Sequence, residues 1–379
     1  MSTSICVIGV GGGGSRLAGL AAAELIGAAH VVAINTDAHE LDLSAAPIKL
    51  QIGAARTGGL GAGGAMGAGR LAAEDDVSRI RELVAERQMV IVVAGLGGGT
   101  GSGAAPVVLR AAGAAGALTL AVVMLPFDME GRRRKEVGRE ALRAVQDAAD
   151  AVVVVSGDRL AEASGETTIK NVFARTDALL AHSISTLCNL IAQPGYINLD
   201  FADLQQMVQH SGGTCSLGYA ETRGPCRAAA AVQALLEGKM LEQGRLLGEA
   251  ASVLTGIVGG SDLTVQEVGQ IMQAIEQACS PGCSSYVGTF IDDQLGDAIR
   301  LVTLVSEFWT EPPDVVAAKP QVAGVTAHRQ TRTKTKSTQT QLGLQPMGRG
   351  RFRNVEPTLL DGEDLDIPTF VRRGIALEG

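Results

Sequence analysis

A doubly wound α/β fold is predicted for this chain, a Rossmann-like parallel sheet followed by a second, smaller α/β domain, and three observations predict it. Short β-branched runs alternate with Ala-rich helical stretches over the first 155 residues. Those runs are continuously apolar rather than alternating, as strands covered on both faces are. Glycine is in excess, 49 of 379 residues against a usual share of about 7%, and concentrates in three segments that each follow a strand.

Strands are expected at Ile5–Ile8, Val31–Ile34, Ile48–Ile52, Val90–Ala94, Leu118–Leu125 and Ala151–Val155. The longest uncharged apolar run, Ala111–Phe127, has 17 residues and is broken by Gly113 and Gly116, so it reads as a helix end and a buried strand rather than a membrane span. A helical pattern from Thr168 to Ala192, stopped by Gln193, Pro194 and Gly195, predicts a long central helix bridging two domains. Beyond it, helices are expected at Phe201–Gln209, Arg227–Gly238 and Val265–Cys279, with strands at Ser252–Val258, Ser285–Ile291 and Leu301–Ser306. The expected organisation is a first domain over 1–167, the central helix over 168–194 and a smaller domain over 195–310. A flexible basic linker over 311–364 and a short apolar cluster in 365–379, of the kind that docks on a partner, make up a disordered C-terminal tail.

The net charge of −8 divides into −10 before residue 311 and +2 after it. An acidic body argues against nucleic acid as a partner, and the eight basic residues between Val315 and Val355 read as solvated linker. Six cysteines without a CxxC pair, and no secretory signal, predict a reduced cytoplasmic chain. Five histidines show no ligand spacing, so no metal is expected to be held directly by the protein.

The three glycine segments are Gly9–Arg16, Gly58–Gly64 and Gly95–Gly103, all expected as loops at one sheet edge. Backbone N–H groups reach phosphate oxygens there without intervening Cβ atoms, and the helices that follow offer their positive dipole ends. Thr100 and Ser102 add hydroxyl donors, and Pro106 fits the first turn of the helix after the third segment. Gly9, Gly11 and Gly14 alone match GxGxxG, with Asp37 placed as a ribose-binding acid, so an NAD-dependent oxidoreductase is one alternative. A second, longer loop after another strand suggests a longer phosphate chain. No Walker A motif occurs: Gly238-Lys239 is followed by Met240.

The segment GGGTGSG, residues 97–103, resembles the signature of the tubulin and FtsZ superfamily of GTPases. NTD at 35–37, GLGAGG at 59–64, PFDMEGRRR at 126–134, NLDFAD at 198–203 and GGSDLT at 259–264 are similar to FtsZ segments in the same order, and LDIPTFVRR at 365–373 is similar to the docking peptide of bacterial FtsZ. The resemblance covers about residues 4–308. It implies a GTP-dependent polymerising cytoskeletal protein that forms head-to-tail filaments at the division septum. GTP/GDP and Mg²⁺ are the implied ligands, hydrolysis is activated by polymerisation, and the place of action is the cytoplasm at the inner face of the membrane.

By that resemblance Gly11, Gly12, Gly13, Gly14, Ser15, Arg16, Gly98, Gly99, Thr100, Gly101 and Ser102 contact the nucleotide, chiefly its phosphates. Glu130 and Arg134 lie at ribose and phosphates, Phe173 stacks on the base, and Asp177 accepts from guanine N1–H and the 2-amino group. Asp200 and Asp203, assisted by Asn198, polarise the attacking water from a neighbouring subunit. Taken without the resemblance, Asp200 and Asp203 are equally a helix N-cap and a first-turn acid, and Phe173 a core residue. Ile367, Pro368 and Phe370 dock on membrane-tethering division proteins. Arg16, Gly157 and Gly256 stand where the family pattern has Asn, and Gly218–Arg227 diverges at what would be a lateral surface. A scaffold that binds GTP and hydrolyses it poorly is the other alternative.

Overall fold

The computed structural model describes residues 4–25, 27–164, 168–193, 195–210, 214–307, 359–360 and 363–364. In chain order the first half runs β1 (Ile5–Val10), α1 (Gly11–Ala22), β2 (Ala29–Asn35), α2 (Ala38–Leu43), β3 (Ile48–Gln51), α3 (Ala54–Thr57), α4 (Met66–Asp75), α5 (Val77–Val84), β4 (Met89–Gly95), α6 (Gly99–Ala114), β5 (Leu118–Leu125), α7 (Arg132–Gln146) and β6 (Ala151–Ser156). The second half runs α8 (Gly157–Ser164), α9 (Ile169–Ala192), α10 (Phe201–His210), β7 (Thr214–Arg223), α11 (Arg227–Glu237), α12 (Arg245–Gly248), β8 (Ser252–Gly259), α13 (Val265–Ala278), β9 (Ser284–Ile291) and β10 (Ala298–Glu307).

The first six strands are all parallel and lie in the order β3-β2-β1-β4-β5-β6. Both faces are covered, which is why the strands are apolar throughout: Ile5 and Val7 of β1 enter the core shared with α1 and α9, while Cys6, Ile8 and Val10 enter the core under α4, α5, α6 and α7. Each such Val or Ile contributes about 1.5–3 kcal/mol through burial. Successive strands are added to one side of β1 up to β3 and to its other side from β4 onward, and this switch point between β1 and β4 is where an open α/β sheet holds its ligand.

The sheet then continues without a break. Among the described residues β6 pairs β7 in parallel through Val152↔Thr214 and Val153↔Cys215, and β7, β10 and β8 follow as antiparallel neighbours with β9 parallel to β8 at the edge. The described residues 4–307 belong to one compact unit. Strand β7 is not among the expected strands. Its inward positions Cys215 and Leu217 do alternate with Ser216, but Gly218 interrupts the pattern, and its absent Cβ makes room for Leu235 and Leu241. Taken by themselves, Leu359–Leu360 and Glu363–Asp364 of the tail pair antiparallel.

Helix α9 has 24 residues, about 36 Å of length, and starts where Thr168 accepts from Asn171 N. Leu180, Ile184, Leu187, Cys188, Leu190 and Ile191 bury one side of it in the core. Gly256 of β8 leaves the space that Leu190 fills: a Cβ there would lie 2.0 Å from Leu190 Cδ1. A polar seam ties the same helix to both halves of the molecule. Glu24, just past α1, pairs with His182 and accepts from Ser185 Oγ at 2.7 Å, and Arg300 of β10 donates to Glu221 of β7 at 2.7 Å. Tyr219 also donates to Glu221, at 3.0 Å, and stacks on His182 with ring centroids 6.1 Å apart.

A second polar node fixes α13. Thr264 and Glu267 form a reciprocal capping box, and Glu267 also takes two hydrogen bonds from the buried guanidinium of Arg227, at 2.7 and 3.1 Å. The Arg227 hydrogen bonds hold the Glu267 carboxyl down to about 2, burial pushing the other way and Thr264 helping. A depressed carboxyl stabilises the fold fully above its unfolded value of about 4.3, and that stability is lost as pH falls through the folded value. Acid titration of wild type is therefore expected to lower the unfolding midpoint between about pH 4.3 and 2. Glu267→Gln is expected to cost about 1–3 kcal/mol at pH 7 and to flatten that acid decline; an unaltered slope in chemical denaturation across this window would remove Glu267 from the account.

Candidate nucleotide site

The two glycine segments at the switch point are mostly helix, not loop. After β1 ends at Val10, Gly11–Gly14 form the first turn of α1, and Gly99–Gly103 form the first turns of α6 after β4. Pro106 consequently sits inside α6 rather than in its first turn. Close approach explains the glycines. A Cβ on Gly14 would lie 2.2 Å from Val93 O, one on Gly101 2.4 Å from Gly95 O, and one on Gly11, at φ +74°, 2.8 Å from Gly101 N. Two helix N-termini thus meet backbone to backbone across β1 and β4. Neither is capped by a side chain, so both present N–H groups and about half a positive charge each. That arrangement binds anions.

A cleft of about 760 Å³ opens over this cradle, large enough for a nucleotide. Of the expected contacts, Gly11–Gly13, Arg16, Gly98–Gly101, Glu130, Arg134 and Phe173 line it. Gly14, Ser15, Ser102 and Asp177 do not. Gly14 is the contact point with β4; Ser15 is buried; Ser102 Oγ, fully buried, accepts from Gly97 N at 2.9 Å and so holds the turn from behind. The Thr100 hydroxyl is bound to that of Thr36, at 2.6 Å, locking the NTD turn to the start of α6.

The rim carries the charge. Glu130 accepts from Phe127 N at 2.9 Å with one oxygen and pairs with Arg134 through the other. Arg16, expected near the phosphates, instead donates through Nε to Asp177 Oδ2 at 2.5 Å, bridging α1 to α9. Phe127 was not among the expected contacts although it lies in the PFDMEGRRR segment. It lines the cleft with its ring centroid 4.7 Å from that of Phe173, and its ring occupies the space a Cβ on Gly157 would need, 2.9 Å away. Glycine at 157 therefore admits the aromatic pair. Asn35, Asp37 and Glu40 also line the cleft, from the NTD segment and the helix after it. Asp37 accepts from Glu40 N at 3.0 Å as the N-cap of α2.

The acidic pair lies elsewhere. Asn198, Asp200 and Asp203 are absent from the cleft. Asn198 Oδ1 accepts from Gly195 N at 2.8 Å, and Asp203, in the first turn of α10, accepts from Asp200 N at 3.2 Å, so the cap runs from Asp203 back to Asp200. The carboxylate of Asp200 is exposed. Ile367, Pro368 and Phe370 lie outside the described residues.

Residues 4–165 match the Tubulin/FtsZ family GTPase domain, and residues 213–308 match the FtsZ family C-terminal domain. Over 306 residues the chain is 36% identical to Cell division protein FtsZ 1 of Halobacterium salinarum, covering 81% of this chain and 76% of that protein. The chain belongs to the tubulin/FtsZ family. An empty FtsZ dimer from M. jannaschii superposes with a TM-score of 0.76 at 34% identity, over 81% of this chain and 88% of that one. A CetZ2 protofilament from Haloferax volcanii, bound to GTPγS, superposes with a TM-score of 0.65 at 25% identity, over 80% and 93%. These FtsZ-family relatives are archaeal, so a specific kinship with bacterial FtsZ is not supported.

Proposed function

We propose that the protein is a GTP-hydrolysing filament protein of cell division, whose active site is completed when a second copy stacks head to tail. One observation carries this: a cleft with a complete anion cradle, in a chain whose candidate catalytic carboxylates, Asp200 and Asp203, lie outside it. The amides at the starts of α1 and α6 hold the phosphates, and Phe127 with Phe173 provides the apolar wall for the base. Arg134, held by Glu130, stands where charge develops on the transferring group. Asp200 and Asp203 of the second copy orient and polarise the attacking water, with Asn198 shaping the turn that presents them. Mg²⁺ would neutralise triphosphate charge, with Asp37 and Glu40, from the turn after β2 and from α2, as two of the carboxylates lining the cleft.

Among the described residues no helix is long and apolar enough to cross a membrane. The protein is proposed to act in the cytoplasm at the division site, with Ile367, Pro368 and Phe370 engaging a membrane-tethering partner. GTP hydrolysis per molecule, measured across protein concentration, tests the whole proposal. The rate is expected to rise from near zero at high dilution to a plateau, and a chain ended at residue 364 should behave alike. A rate per molecule independent of concentration would mean that one copy holds a whole site.

A further inference from the structure

Six cysteines are spread along the chain, and the fold brings two of them together at a place the nucleotide chemistry does not use. Cys279 caps the end of α13, and Cys283 stands just before β9. Ser280, Pro281, Gly282 and Cys283 make a tight turn, closed by a hydrogen bond from Cys283 N to Ser280 O at 3.1 Å. Gly282 has φ +99°, and with Pro281 before it this is the Pro-Gly pairing of a type II turn. The turn folds the chain back so that both cysteine side chains pack, half-buried, against the core under α11 and α13. There the Cys279 thiol donates to the Cys283 sulfur, and the Cys283 thiol donates to Ser284 O at 3.8 Å. The remaining four differ: Cys6, Cys188 and Cys215 are buried, and Cys226 is exposed.

We propose that Cys279 and Cys283 form a reversible dithiol–disulfide site, oxidised by low-molecular-weight disulfides of the glutathione class. Cys283 attacks first, because the hydrogen bond it accepts from Cys279 favours its thiolate. Its sulfur bonds to one sulfur of the oxidant, the oxidant's S–S bond breaks, and the first glutathione leaves as a thiol with the proton from Cys283. Cys279 then gives up its own proton and attacks the Cys283 sulfur, expelling the second glutathione as a thiol. Two protein thiols are thereby oxidised to one disulfide, and one oxidant disulfide is reduced to two thiols. Burial pushes both cysteine thiols up, so the exchange is slow at neutral pH and quickens as pH rises. The bond joins the end of α13 to the start of β9. Neither cysteine lines the nucleotide cleft, so the site is independent of what that cleft binds.

The experiment incubates the full chain with equal amounts of reduced and oxidised glutathione at about pH 8.5, near the value of a free thiol. Samples are quenched in acid once the distribution no longer changes with time, and are mapped by peptide mass spectrometry. The segment holding Cys279 and Cys283 is expected to lose two hydrogens as an internal disulfide, in excess over its glutathione adduct by about tenfold or more. Exposed Cys226, carrying the adduct, serves as the reference. Dithiothreitol should restore both thiols. In Cys279→Ser the internal disulfide is lost and Cys283 collects the glutathione adduct instead. Wild type decides the matter even where a serine variant fails to fold. A glutathione adduct on Cys283 that does not pass to an internal disulfide overturns the proposal, and so do two free thiols at 279 and 283 at equilibrium.

Discussion

Asp203→Ala is expected to lower GTP turnover by about 10²–10⁴-fold while leaving nucleotide affinity within about twofold of wild type. The side chain has two separable jobs. It accepts from Asp200 N at 3.2 Å and so begins α10, a cap whose loss costs about 1 kcal/mol, and it supplies negative charge next to the exposed Asp200. Asp203→Asn keeps an acceptor oxygen and removes the charge. If the role is to polarise water, both variants lose turnover alike and only alanine loses stability. Because the cleft of the same chain contains neither residue, guanine nucleotide should still bind each variant. Mixing excess Asp203→Ala with wild type should then depress turnover beyond dilution, since each mutant offers its neighbour an inactive lower surface. Wild-type turnover in Asp203→Asn removes this residue from the chemistry.

The second large effect is expected at a glycine that touches no ligand. Gly14→Ala places a methyl 2.2 Å from Val93 O, and neither partner can yield: Val93 lies in β4, buried between β1 and β5, and Gly14 lies in the first turn of α1 against Gly9. Overpacking of backbone against backbone should cost about 3 kcal/mol or more, read as a lower denaturant midpoint, with nucleotide binding reduced because the two helix ends are forced apart. Gly13→Ala makes the contrast. The nearest atom to its added methyl is 3.8 Å away, so stability should hold within about 0.5 kcal/mol, whereas the methyl enters the cradle and binding falls. Equal midpoints for Gly14→Ala and wild type would contradict the close approach of α1 to β4.

Much of this was legible in the residues, for reasons that can be stated. Strands β1, β2, β4, β5 and β6 were found within about two residues because burial on both faces leaves unbroken apolar runs. The long helix α9 was found because Thr168 starts it and apolar residues recur along it. Strand β7 was not found, because Gly218 breaks its alternation and its pairing with β10 is remote in sequence. In the cleft, glycine content located the anion cradle but suggested loops where helix turns stand, since composition reports close approach and not the conformation that achieves it. Arg16 was assigned with its neighbours in the glycine segment, whereas its partner lies 161 residues away on α9. Phe127 escaped for the same reason: an aromatic beside Pro126 reads as core until Phe173 and Gly157 are brought to it by the fold.

A cradle made of main-chain amides has little to offer natural variation. Exchanging its glycines meets neighbouring backbone, as at Gly11 and Gly101, the Glu40 carboxylate, as at Gly12, or the ligand's own volume. Heritable drift in ligand preference is thereby confined to the side chains around the edge, among them Arg16, Asp37, Glu40, Glu130, Arg134 and Phe173. Lineages descended from a common ancestor would be expected to keep the floor and differ at that border, so the border is where to look for divergent appetites among them.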